Sequence, residues 1–181
     1  MDPSQALDLV RENIKNNNLY KHCLAVEAVM RHFAKYFAEN QEEWGLAGLL
    51  HDLDYEKTKD NPSQHGFVSV QMLKHYDIDE KIVNAIRSHS GYVERISLMD
   101  KVLYAVDSLT GLIIASALMH PEKKISALDT DFVMRRFKEK RFAAGADREQ
   151  IASCEEFNMK LEDFIAHTLE AMAGIEKELG F

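Results

Sequence analysis

A helical spacing of apolar residues runs through nearly the whole chain of 181 residues, and it constrains the fold more than any other feature. Between Leu19 and Ala38, for example, Val26, Val29 and Phe33 fall on one helical face. No segment shows the sustained alternation with β-branched residues that is typical of strands. The sequence therefore predicts an all-α fold without a sheet.

Residues 1–181 are predicted to form a single all-α domain, because the chain contains no linker-like stretch and no internal repeat. Helices are predicted over about 2–16, 19–38, 42–53, 63–75, 79–88, 98–118, 129–140, 147–152 and 156–178. Asp147 and Gln150 have the spacing of a capping box at one of these helix starts. The residues after about 121 are expected to pack on the preceding helices as a helical extension.

The charge balance of the chain is acidic. Lys and Arg total 22 against 30 Asp and Glu, which gives a formal net charge of −8. A general nucleic-acid binder should carry positive charge to neutralise phosphates, so general nucleic-acid binding is not expected. One small phosphorylated substrate, held by a local basic cluster, is the expected partner.

Cysteine usage and the start of the chain indicate a cytoplasmic protein. Cys23 and Cys154 form no CxxC pair and are expected to be reduced. The first residues are acidic and lack the pattern of a signal peptide, and no run approaches about 18 uninterrupted apolar residues, so no membrane contact is expected. The sequence leaves the oligomeric state open, with a homodimer as one option.

Polar side chains that can bind a metal lie on apolar helical faces. They are His22, His51, His65, His89 and Asp107, and Asp52 adjoins His51. A single inward histidine is more often a hydrogen-bonded core residue. Burying all six together is different, since each unpaired buried polar group costs about 1–3 kcal/mol. A divalent cation satisfies them at once, and mixed imidazole and carboxylate ligands suit Mn, Fe, Co, Ni or Zn.

The order of His22, the His51-Asp52 pair and Asp107 on successive helices resembles the HD superfamily of metal-dependent phosphohydrolases. The resemblance covers residues 19–118, which would form the HD core, with residues 121–181 as the extension. It implies an HD-domain helical bundle in a small-hydrolase branch of the superfamily, a branch with extra histidine ligands.

The resemblance also implies a ligand set. His22, His51, Asp52 and Asp107 would bind one ion, and Asp52 would bridge to a second ion held by His65 and His89. The site would thus hold one or two divalent transition-metal ions. His51 and Asp52 would form the catalytic centre, where a metal-activated water attacks a small phosphate ester or nucleotide.

One departure from the family pattern affects substrate binding. Many relatives continue His-Asp-x-Gly-Lys, whereas here Asp54 replaces the glycine and Tyr55 the lysine. Lys57 is the predicted substitute for that lysine. Asp54 or Glu56 is predicted to orient a histidine of the site.

A dense basic run supplies the other predicted phosphate contacts, although such runs are more often solvated helix faces. The predicted substrate-binding residues are Lys138, Lys140, Arg141 and Arg148. His32, His75, His120 and His167 are predicted to be structural or exposed.

Two other functions share this pattern. Some HD proteins with a similar set of six ligands are di-iron oxygenases, and the ligands alone do not separate them from hydrolases. A metal-binding regulatory module with an inactive site is the third option. All six ligand positions are present here, which argues against it.

Overall fold

The structure is a computed structural model that describes residues 1–181, and it contains helices and turns but no strand, which confirms the all-α prediction. The α-helices in chain order are α1 (Pro3–Asn13), α2 (Asn17–Tyr36), α3 (Gln41–Leu50), α4 (Tyr55–Thr58), α5 (Phe67–Leu73), α6 (Glu80–Ser88), α7 (Leu98–Met119), α8 (Thr130–Lys138), α9 (Arg148–Ala152), α10 (Leu161–Ala173) and α11 (Glu176–Leu179). Two short 3₁₀ segments cover Pro62–Gln64 and Ser153–Phe157.

Short polar side chains fix where the early helices begin. Asp2, Asn16 and Asn40 each accept hydrogen bonds from backbone N–H groups in the first turn of α1, α2 and α3. The sequence predicted that the first helix reaches Asn16. It ends at Asn13 instead, because Asn16 serves as the cap of the next helix.

Helix α7 lies at the centre of the fold and packs against α2, α3, α6, α8, α9 and α10. By length and composition it is also the one helix that is long and apolar enough to cross a membrane. In its most apolar stretch 56% of the residues are buried within the fold, and the core helix of a soluble protein meets the same criterion. This property of α7 is therefore weak evidence for a membrane span.

Helices α2 and α3 approach each other closely at Gly48. A Cβ atom at this position would lie 2.9 Å from the carbonyl oxygen of Val26 and 3.0 Å from the backbone nitrogen of Glu27. Glycine is needed here because α2 backbone occupies the space of a side chain. This contact holds the end of α3 near the start of α2, where His51 and His22 face each other.

The predicted helix over 63–75 is shorter in the structure, and His65 lies before it. The backbone of His65 is extended, and Gly66 has a φ of 80°, in the left-handed region. A Cβ atom on Gly66 would also lie 2.9 Å from the carbonyl oxygen of Ile86. The turn at this glycine ends the 3₁₀ segment and starts α5 in a new direction.

The predicted helix over 156–178 is divided in the structure. Asn158 adopts the left-handed conformation, with a φ of 58°, and α10 begins only at Leu161. Helices α8, α9 and α10 pack against α7, and α10 also packs against α2. One hydrophobic core extends from Ala6 near the start of the chain to Leu179 near its end.

Candidate metal centre and its cleft

Four histidine side chains from separate parts of the chain meet beside two aspartates. His22 comes from α2, while His51 and His89 directly follow α3 and α6. His65 comes from the turn before α5. The rings of His51 and His89 are fully buried, whereas His22 and His65 are partly exposed to a cleft.

The Nδ1 atom of each ring faces a hydrogen-bond acceptor outside the cluster. His51 Nδ1 is 2.7 Å from the carbonyl oxygen of Gly48, and His89 Nδ1 is 2.6 Å from that of Ile86. Carbonyl oxygens only accept, so both Nδ1 atoms carry a hydrogen. The Nε2 lone pairs of these two rings therefore point into the cluster.

Hydrogen bonds at Nδ1 orient the other two rings in the same way. His65 Nδ1 is 2.8 Å from a carboxylate oxygen of Asp54. His22 Nδ1 is 3.2 Å from the hydroxyl of Thr110, which donates its own hydrogen to the carbonyl of Asp107. All four Nε2 atoms are thus directed inward, where each can serve as a ligand once it has lost its proton.

The inward atoms form two groups that share Asp52. In the first group, His22 Nε2 is 3.2 Å from His51 Nε2 and 3.0 Å from Asp107 Oδ1. Asp52 Oδ2 completes this group at 3.6 Å from His22 and 3.5 Å from His51.

The second group uses the other oxygen of the same carboxylate. Asp52 Oδ1 lies 3.2 Å from His65 Nε2 and 3.6 Å from His89 Nε2, and these two nitrogens are 3.0 Å apart. Asp52 therefore contributes one oxygen to each group.

These residues fit divalent metal ions by chemistry and by spacing. Nε2 lone pairs that face each other at 3.0–3.2 Å repel unless a proton or a metal ion lies between them. Ligand atoms with bonds of roughly 2.0–2.2 Å to a common ion lie about 3.0–3.5 Å apart. Imidazole and carboxylate ligands in this proportion suit Mn, Fe, Co, Ni or Zn.

The pKa values of the cluster residues also indicate that a positive charge is favoured there. Burial opposes protonation of His65, but hydrogen bonds to Asp52 and Asp54 outweigh it and raise its pKa to about 10. Burial likewise opposes ionisation of Asp107, yet the nearby rings of His22 and His51 hold its pKa well below the usual range. Without an ion, a proton on His65 would partly balance the charge of the carboxylates.

Asp54 orients one ligand of the second group. Its side chain is fully buried and also accepts a hydrogen bond of 2.8 Å from the backbone of Ser69. Glu56, the other predicted candidate, instead accepts hydrogen bonds from the backbone of Lys15 and Asn16. Glu56 therefore holds the loop before α2 and does not contact a ring of the cluster.

We expect Asp54→Asn to weaken ion binding at the second group by about 10–100-fold while the first group keeps its affinity, because an amide makes His65 a poorer ligand than a carboxylate does. The measurement is a titration with Mn²⁺, with the exposed Asp60→Asn as the control. Unchanged binding of every ion would contradict a positioning role for Asp54.

Gln150 was not predicted to reach the site, yet it holds one of the ligands. Its Nε2 atom donates to Asp107 Oδ2 at 3.2 Å and to the carbonyl of Tyr104 at 2.7 Å. The expected capping box is incomplete because this side chain turns toward α7, although Asp147 does cap α9. The extension thus contributes directly to the geometry of the site.

An open cleft of about 950 Å³ leads to the cluster. Its lining is largely polar and comes from α2, the turn after α3, α4, α7 and the loop before α9. Lys59 is the one lysine or arginine in this lining. Polar residues of the lining outside the ligand set include Asn18, Tyr55, Ser108 and Gln150.

None of the predicted substrate-binding residues lines this cleft. Lys57 points away from it, with Nζ 2.9 Å from Asn13 Oδ1. Lys138, Lys140 and Arg141 are exposed on the segment that leads into the wall formed by Ala143 and Gly145.

Arg148 has a structural role instead of the predicted one. Its guanidinium donates to backbone carbonyls in the last turn of α8 and in the loop before α9. These acceptors belong to Arg136, Phe137, Glu139, Phe142, Ala143 and Ala146. All five N–H groups are engaged, so none is free for a phosphate. Arg148 shapes the wall of the cleft without facing it.

The fold and the site define a helical protein with a histidine and aspartate centre for divalent ions. The HD domain family model matches residues 19–112, which is just over half of the chain. The chain therefore belongs to the HD domain family of metal-dependent phosphohydrolases, and the predicted resemblance is confirmed. HD domains bind divalent metal ions, and this chain contains clusters that can hold one.

Curated relatives are named Ribonuclease Y. The protein from Staphylococcus epidermidis is 30% identical over 113 residues, which cover 61% of this chain and 22% of the relative. The Aliarcobacter butzleri protein is 34% identical over 64 residues, or 35% of this chain and 12% of the relative. The Geobacter sulfurreducens protein is 28% identical over 96 residues, which cover 53% of this chain and 18% of the relative. The chain thus spans less than a quarter of these relatives, and no solved structure matches it significantly.

The similarity to proteins named as ribonucleases contradicts one expectation. The net charge of −8 predicted a small phosphorylated partner and no general nucleic-acid binding. That prediction was wrong in its reasoning, because net charge sums the whole surface whereas a phosphate backbone meets only one face. The substrate is therefore no longer expected to be restricted to small molecules.

Proposed function

We propose that the chain is a metal-dependent phosphohydrolase that cleaves a phosphate ester of a nucleotide unit, either free or within RNA. The observation that carries the proposal is the division of the two Asp52 oxygens between two groups of imidazoles. A single carboxylate placed in this way would hold two ions side by side at the end of a polar cleft. The relatives named Ribonuclease Y support a nucleotide phosphate as the group that reaches the site.

The proposed roles follow from the contacts. His22, His51, Asp52 and Asp107 would hold one ion, and Asp52, His65 and His89 would hold the other. Bound ions would lower the pKa of a water and neutralise charge on the phosphoryl oxygens. The protein fixes every imidazole through its Nδ1 atom, so the ligands need little rearrangement when the ions bind.

The cleft would hold the substrate on the polar side chains around the centre. Lys59 supplies positive charge in the wall, and Lys140 and Arg141 are exposed where the basic segment enters that wall. A phosphate next to the scissile one would meet Lys59. A longer RNA strand would extend past the loop and meet the exposed pair, which gives the basic run a role in capture.

The proposal is tested by assaying the purified chain, loaded with Mn²⁺, on an RNA oligonucleotide and on nucleoside monophosphates. Release of phosphate or of shorter RNA that stops on chelation is the expected result. The assay is repeated in air with bound iron, because oxygen consumption without phosphoester cleavage would overturn the hydrolase in favour of a di-iron oxygenase. No turnover on any of these substrates with full metal content would favour a regulatory module.

We expect Lys59→Gln to raise KM several-fold with little change in kcat, because a cation that binds the phosphate equally in the ground and transition states contributes only to affinity. Lys57→Gln is the matched control, since it removes the same charge two residues away on a side chain bound to Asn13. Steady-state kinetics on a substrate identified by the preceding assay gives the answer. Equal KM values for the two variants would exclude Lys59 as a phosphate contact.

A further inference from the structure

A second group of metal-binding side chains lies away from the HD centre. His32 on α2 faces His167 on α10, with His32 Nε2 and His167 Nδ1 3.0 Å apart. Glu170 is three residues further along α10 and on the same face. One ligand atom from each of these three residues lies within 4.8 Å of the other two.

We infer that His32, His167 and Glu170 form a binding site for a borderline divalent ion, of which Zn²⁺ is the example. Two imidazoles and one carboxylate form a ligand set that zinc accepts, and a fourth position remains open to water. This inference does not depend on the proposed hydrolase activity.

The ligand atoms have few competing partners. The carboxylate of Glu170 makes no hydrogen bond and no ion pair with any side chain of the protein. The only hydrogen bond of either ring is the one between His32 and His167. An ion would replace that bond, and Glu170 is exposed and free to rotate toward the rings.

Aromatic packing fixes the ring of His167. Its centroid is 4.7 Å from that of Tyr36 and 5.9 Å from that of Phe33. The His32 ring in turn packs edge-on against Phe33, at 5.8 Å. Both imidazoles are therefore held near their binding positions before an ion arrives, which lowers the entropy cost of binding.

The site is separate from the HD centre and lies where the extension packs on α2. His22 and His32 are ten residues apart on α2, so the two centres lie roughly 15 Å apart along this helix. His167 and Glu170 lie outside the residues that match the HD family, on the extension. An ion here would fasten α10 to α2 and so connect the extension to the helix that carries His22.

The first test locates zinc directly in crystals of the full chain soaked with Zn²⁺. An anomalous difference map recorded at the zinc edge should contain a peak between His32 Nε2 and His167 Nδ1. A map with peaks at the HD centre and none at this position would overturn the inference.

The second test measures Zn²⁺ binding and thermal unfolding in solution. Glu170→Gln should weaken binding at this site by at least about tenfold, since it removes one of three protein ligands. His167→Gln should remove the site, so that Zn²⁺ raises the unfolding temperature less than in the wild-type chain. Glu162→Gln is the matched control, because it makes the same change on an exposed residue of the same helix. If both variants bind Zn²⁺ as Glu162→Gln does, the two histidines form only a hydrogen bond.

Discussion

Asp52→Ala should lower phosphoester hydrolysis by about a thousandfold or more and remove bound Mn²⁺ from both groups, because the loss of metal stabilisation amounts to several kcal/mol in the transition state. His51→Ala should have a similar effect on activity through the first group. No other side chain can replace Asp52, since each of its oxygens faces a different pair of imidazoles. Mn²⁺ suits this test because it binds more weakly than Zn²⁺ to ligands such as His32, His167 and Glu170, so the measurement reports the HD centre.

The two variants should keep their helical content, because His51 and Asp52 belong to the turn after α3. Far-ultraviolet circular dichroism checks this point. Asp60→Ala is the control, since Asp60 is exposed and lies outside the cluster. If purified Asp52→Ala retained full activity at equal metal content, the centre would have to lie elsewhere.

Gly48→Leu should destabilise the protein by about 3 kcal/mol or more, because its side chain would have to displace the backbone of α2. The atoms in the way are the carbonyl of Val26 and the backbone of Glu27, which cannot rotate aside as a side chain does. For a chain of this length, a loss of that size lowers the unfolding temperature by roughly 6–12 °C.

Gly111→Ala is a control for the effect of replacing a helical glycine where there is space for a side chain. A Cβ atom on Gly111 would meet nothing within 4 Å, and the residue lies inside helix α7. Alanine there should stabilise the helix by about 0.5–1 kcal/mol. Thermal unfolding of both variants measures the difference, and an unchanged unfolding temperature for Gly48→Leu would show that α2 and α3 can separate at no cost.

The parts of the site that follow a local pattern could be predicted from the sequence. His22 and Asp107 lie on apolar helical faces, and a buried polar group in such a place needs a partner whatever the details of the fold. Asp54 was anticipated only as one of two candidates, together with Glu56, for orienting a histidine of the site. For these residues, the informative sequence pattern lies within one or two helical turns.

The parts that depend on packing between distant segments could not be predicted. Gln150 reaches Asp107 across 43 residues, and nothing in its own surroundings in the chain indicates that contact. The sequence favoured Lys57 as the substitute for the family lysine, but Lys59 lines the cleft instead, and only the direction of α4 decides between the two. The pairing of His32 with His167 spans 135 residues and requires that α10 packs on α2.

The placement of His51 and His89 at the ends of α3 and α6 has a consequence for local opening. Each ring is hydrogen-bonded to a carbonyl three residues earlier, in the last turn of its helix. An ion at each group would therefore also hold one of these two helix ends closed. Each end would gain about 2.7 kcal/mol of protection when the free ion is present at 100 times its dissociation constant. Chelation should accordingly speed amide hydrogen exchange first in the final turns of α3 and α6, while the middle of α7 keeps its slow exchange.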